Sequence, residues 1–229
     1  MEITARCHPA LKDLLPDPVP ARACLPAWLG AMPGEVAAAS MGGASVRTLK
    51  HCPPLIDALR LGVMILCPTD IHVNGNDISW DWDLPHHPTF TLARAPVGIH
   101  VPEQAAGSAH ENDGDLFIKF VNYWTLQVPD GWSILFHHPT GYPDLPFTTL
   151  SGVVDCDRFG LGHVHFPARL QPGFTGVIRR GTPVAQCVPV QKEVGLEVRA
   201  LTDAEATESA GITHEIGKDP GVYRKTYRR

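Results

Sequence analysis

His163 and His165 stand two residues apart, with only Val164 between them. On a β-strand, residues at i and i+2 project from one face, and their Cα atoms lie about 6.5 Å apart. Two imidazoles at that spacing can meet one metal ion. A third ligand from a neighbouring strand would complete a site with positions left open for substrate or oxygen. The chain holds 12 histidines, so donors are at hand. His100 and His137 are the candidate further ligands, and His138 and Asp155 the candidate catalytic groups. The competing reading is that His163 and His165 line a solvent-facing strand. An H-x-H pair is weaker evidence than H-E-x-x-H or a zinc ribbon, and neither of those is present. His86 and His87 lie in a Pro-flanked loop and read as surface.

The metal expected at such a pair is divalent, with Fe(II) favoured over Zn or Cu. The chemistry would be oxidative, with a hydrolytic zinc site as the variant. Trp80, Trp82 and Trp124 are candidates to wall a pocket for a small substrate, although tryptophans more often serve as core. Cys156 stands between Asp155 and Asp157, whose charge would raise its pKa, the wrong direction for a nucleophile. No P-loop, G-x-G-x-x-G or G-x-S-x-G pattern occurs, so no nucleotide cofactor is expected.

The elements that must position these groups are mainly strands. Residues 63–67 read as a buried strand after a short helix that opens at Pro53. Asn74 to Asp77 is a turn signal between two strand runs, in the second of which apolar and polar residues alternate. Residues 117–128 read as one long strand, turned by Pro129, Asp130 and Gly131 into a hairpin partner over 132–137. Residues 90–93 and 97–101 are further strand candidates, and residues 105–115 a polar loop. The Pro- and Ala-rich stretch 1–45 reads as an arm with helical pieces, ending in a flexible joint at Met41 to Ser45. Residues 46–200 form the β-rich core. Thr202 to Glu205 is a capping box that opens a C-terminal helix to about Ala210, within a tail over 201–229.

A chain of 229 residues can bury a full core. Its net charge of −5 gives no reason to expect nucleic acid or a membrane surface as partner. The six cysteines form no C-x-x-C pair, and the first 20 residues show no signal-peptide pattern. The expected setting is therefore cytoplasmic, with reduced thiols.

Residues 151–160, SGVVDCDRFG, resemble the third motif of the trimeric dUTPase and dCTP-deaminase superfamily. Gly152, Val153, Val154, Asp155 and Asp157 match in order, and Gly181, Ala185 and Gln186 match its later G-x-x-[IV]-A-Q piece. The resemblance implies a β-clip fold, here a mainly β sandwich or barrel with short N-terminal helices and a C-terminal helix. It also implies a homotrimer, and it would place Asp155 and Gln186 near a nucleotide base. The phosphate-gripping P-R-S-G motif is replaced by HHPTGYP, and the stacking Tyr by Arg158 or Phe159. Over about residues 60–193, the runs WTLQVPDGWS, DLPF, SGVVD, HFP and GTPVAQ also resemble an uncharacterised bacterial and phage domain family. That family brings no activity with it. A metal-free nucleotide-directed enzyme and a non-enzymatic β-clip assembly module therefore stay beside the metalloenzyme reading.

Overall fold

The computed structural model of the chain describes residues 1–108, 116–219 and 221–228. The loop expected over 105–115 lies outside the described residues from 109 onward. The chain opens with β1 (Thr4–Cys7), β2 (Val19–Pro20), α1 (Ala27–Ala31), β3 (Glu35–Ala38) and β4 (Ala44–Arg47). Helix α2 (Pro53–Arg60) leads into β5 (Val63–Leu66), β6 (Ile71–Asn74), β7 (Asp77–Trp80) and β8 (Val97–His100). Then follow β9 (Phe117–Phe120), β10 (Trp124–Gln127), β11 (Ser133–His137), β12 (Phe147–Thr149) and β13 (Gly152–Val154). The last strands are β14 (Phe166–Leu170), β15 (Thr175–Ile178) and β16 (Pro183–Val190), followed by α3 (Asp203–Lys218). The fold is mainly β, with several sheets and a C-terminal helix.

One sheet runs β13-β11-β16-β5-β2 and a second β12-β14-β9-β8. Ile65, Ile134 and Phe136 of the first share one buried cluster with Ile118, Phe120, Phe147 and Phe166 of the second. The Phe136 and Phe166 rings meet edge to face across it, 5.3 Å apart. These two sheets therefore pack face to face. A third sheet, β15-β6-β7, contains the expected hairpin, with Asn74 opposite Asp77 and Gly75 at φ 61° in the turn.

The strand expected over 117–128 is broken at Val121 to Tyr123. Asn122 is buried, and its carboxamide binds its own chain two residues on. Nδ2 donates to the Trp124 carbonyl (2.8 Å), and Oδ1 accepts from the Trp124 amide (3.0 Å). That local pairing competes with a continuous ladder and re-aims the chain. β9 joins β8 and β14, whereas β10 pairs with β1 in a separate two-stranded sheet. The turn at Pro129 to Gly131 consequently carries the chain into another sheet. β11 pairs with β13 and β16 and is not a hairpin partner of β10.

The first 45 residues contribute to these sheets through β1 and through β2, which pairs with β5. Met41 to Ser45, expected as a flexible joint, runs from the tip of the β3–β4 hairpin, where Gly42 and Gly43 take positive φ, into β4, where Ala44 and Ser45 pair with Ala38 and Ala37. The run 90–93 forms no strand. The chain divides into two units, Met1–Lys192 and Glu193–Arg229. In the second, the Thr202 hydroxyl and the Glu205 carboxylate cap α3 reciprocally, and the helix continues eight residues past Ala210 to Lys218. Among the described residues, no helix is long and apolar enough to cross a membrane.

Candidate functional site

Val164 is buried in the main core, but the strand expected through the two histidines is not formed there: β14 begins only at Phe166, so strand alternation does not set the directions of His163 and His165. His163 forms an isolated bridge to Thr125 of β10. Both rings are half-buried. Burial holds the His163 pKa below its ordinary value, opposed by a backbone hydrogen bond at Tyr123. Burial also lowers the His165 pKa, with smaller contributions from Lys119 and from His163 itself. Both imidazoles are therefore neutral at pH 7.

Their remaining valences differ. His165 Nδ1 accepts the Asn122 amide (3.1 Å), so in the neutral ring the proton sits on Nε2. His163 opens on a cavity of about 330 Å³. Arg6, Cys7 and His8 from β1 and its exit, Phe90 and Leu92, and Thr125 line this cavity with it. Because β1 pairs with β10, Arg6 lies opposite Thr125 and Cys7 opposite Trp124. Arg6 donates to Gln127 Oε1 (2.6 Å), and among the described residues no carboxylate lines the cavity. His8 Nδ1 accepts the Ala10 amide (3.2 Å), so its Nε2–H donates to Thr89 Oγ1 (2.9 Å). The Thr89 hydroxyl in turn reaches His87 Nδ1 (2.9 Å), which ties the exposed His87 to the cavity wall. Burial raises the Cys7 thiol pKa, partly offset by Lys12.

The other candidate residues lie elsewhere. His100 faces Phe117 in the β8–β9 ladder, whereas Phe166, next to His165, faces Phe120 three residues along. That separation is about 10 Å of strand. His137 is on β11, opposite Gln186, and its Nδ1–H donates to the His138 carbonyl (2.7 Å). His138 is fully used. Nδ1 accepts the Thr149 amide (3.2 Å), and Nε2–H donates to the Tyr142 carbonyl (2.9 Å). It acts as a strut between loop and strand. Among the described residues, no three His, Cys, Asp or Glu side chains come together as a group that could hold a metal.

Asp155 is held by Lys192 (2.7 and 2.8 Å) and by the Ser133 hydroxyl (2.7 Å), and these bonds keep its carboxyl below the usual range. Gln186 is 1% exposed and has no free end. Nε2 donates to the Ala58 and Leu61 carbonyls, and Oε1 accepts the Thr140 amide. It fastens the end of α2 to β16. The three tryptophans fall in two different clusters. Trp80 packs on the main core, while Trp82 and Trp124 belong to a second cluster with Leu11, Leu15 and Tyr123. Trp82 Nε1 donates to the Arg94 carbonyl and Trp124 Nε1 to that of Pro16, so both indoles are satisfied as core residues. Cys156 is buried, and its thiol is pushed up to about 11 by that burial first and by Asp157 and Asp155 second.

Arg6, Cys7 and His8 were not legible as site residues. The alternation of Ile3, Ala5 and Cys7 with Thr4 and Arg6 is the one local signal that this segment is a strand. Comparison with protein-family models and with curated proteins gave no match.

Proposed function

We propose that the protein is an enzyme of small-molecule chemistry whose site is the cavity at His163, and that its substrate is a small anion with an apolar body. The observation that carries this is a neutral, half-buried imidazole on a cavity whose lining, among the described residues, supplies a guanidinium and no carboxylate. Arg6 would hold the anionic group, and Phe90, Leu92 and the exposed Leu161 would cover the rest. Burial keeps His163 free to accept a proton near pH 7, as a general base must. The experiment is a binding panel of small carboxylates and phosphate monoesters, each beside a neutral analogue of the same shape. Anions should raise the melting temperature and the neutral analogues should not. Arg6→Gln should weaken binding at least tenfold, and His163→Asn should keep binding while turnover is lost. A panel in which no anion stabilises the protein rejects the reading.

A metal-dependent oxidative enzyme is the second reading. It is favoured by the nearness of His163 to His165, whose pKa it helps to lower, and by the neutral state of both rings, which ligation needs. Fe(II) would take His163 first, and His165 only by giving up its bond from the Asn122 amide. Near-stoichiometric metal in the wild type, lost in a folded His163→Ala/His165→Ala variant, would favour it. No uptake after anaerobic reloading with Fe(II) and Zn(II) would remove it.

We further read the first unit as β-clip-like and the protein as cytoplasmic. In support, the SGVVD and GTPVAQ segments form β13 and β16, the two neighbours of β11, and all six cysteines are free thiols.

A further inference from the structure

A second cavity of about 330 Å³ lies at the end of the β8–β9 ladder, lined by His100, Val101, Gln104, Ala105, Phe117, Leu150 and Pro167 among others. It shares no lining residue with the His163 cavity. Its walls are mostly apolar, with one unusual polar group. The Val101 amide donates to Gln104 Oε1 (3.1 Å), which fixes that atom as an acceptor. His100 Nδ1 lies 3.1 Å from the same oxygen, so Nδ1 must carry the proton and donate. His100 Nε2 is then a bare lone pair. It is buried from solvent, and among the described residues it has no hydrogen-bond partner. Buried acceptors without partners are uncommon, because each forfeits the hydrogen bond that water would have supplied.

We propose that this cavity is a binding site for a small, mostly apolar molecule carrying one hydrogen-bond donor, a hydroxyl or an N–H, which His100 Nε2 accepts. The apolar wall of Val101, Phe117, Leu150 and Pro167 takes the body of the ligand. The donor gains a lone pair that solvent does not reach, so it has to part the side chains over Nε2 as it enters. Selectivity follows from the tautomer. A molecule of the same shape that offers only an acceptor, or nothing, leaves Nε2 orphaned and binds less well.

Phenol, with anisole and toluene as donor-free analogues, probes the site. Long-range ¹H–¹⁵N spectra of the free protein should show His100 protonated on Nδ1. Phenol should bind saturably and shift the His100 Nε2 resonance, and the two analogues should bind about tenfold more weakly. His100→Leu should bring phenol down to their level without changing their own affinities. Leu150→Trp, which fills the cavity, should remove all three, with a melting curve to verify folding in both variants. An Nε2–H tautomer, equal affinity of phenol and anisole, unchanged binding in His100→Leu, or no binding by any probe would each overturn the proposal. The His163 cavity is untouched by these variants, so its anion panel succeeds or fails separately.

Discussion

His163 and His165 together set a pH dependence of folding stability. Burial holds both below the ordinary histidine value of 6.5. In the unfolded chain each takes up a proton as the pH falls through about 6.5, while in the folded chain each stays neutral until a lower pH. The unfolded state then binds more protons, so folding stability should decline as the pH drops below about 6.5. The melting temperature should therefore fall between pH 7.5 and pH 5, and more steeply in the wild type than in His163→Asn/His165→Asn. Equal slopes would mean that the two rings are not held neutral. Asp155 and Glu205 act in a separate window. Lys192 and Ser133 lower the first, and Arg199 with Thr202 brings the second to about 2. Stability from such carboxylates is present above their unfolded pKa and is lost only as the pH falls through the depressed folded value.

At the scale of elements, the junction of α2 and β5 is tightly constrained. Gly62 has φ 74°, and a Cβ there would stand 2.1 Å from the Cys187 carbonyl oxygen on β16. The Gly62 carbonyl accepts the Ala21 amide (2.9 Å), and Gln186 holds the end of α2 from the same strand. Gly62→Ala imposes both a strained backbone and a clash with main chain, which cannot rotate away. We expect a loss of about 2–4 kcal/mol in chemical denaturation. A loss below about 0.5 kcal/mol would show that the junction yields. The strand break at Asn122 belongs to this scale too. A single carboxamide sends β9 and β10 to different sheets, and the Asn122 amide at the same break holds His165.

For the whole molecule, the open question is assembly. Val194, Leu196 and Val198 alternate along a stretch of the second unit that forms neither helix nor strand, and they are 84%, 88% and 86% exposed. Exposed apolar side chains in such a run favour burial against another chain. A homotrimer, as the motif resemblance implies, would give them a place to bury. Light scattering on the eluting protein should report an oligomer, and Val194→Ser/Leu196→Ser/Val198→Ser should shift it towards the monomer. A wild-type monomer at micromolar concentration would count against the trimer.

Read alone, the sequence determined what depends on neighbours along the chain. The hairpin at Gly75, helix α2 behind its prolines and the capping box at Thr202 all follow from local turn chemistry and capping. Tertiary structure decided which strands meet. Nothing near Trp124 announces that its strand pairs with Thr4–Cys7 rather than with the segment after the next turn, because pairing is chosen by how distant apolar faces bury one another. That choice brings Arg6, Cys7 and His8 to His163. It also leaves His100, His137 and His138 apart, each committed to a loop or strand of its own.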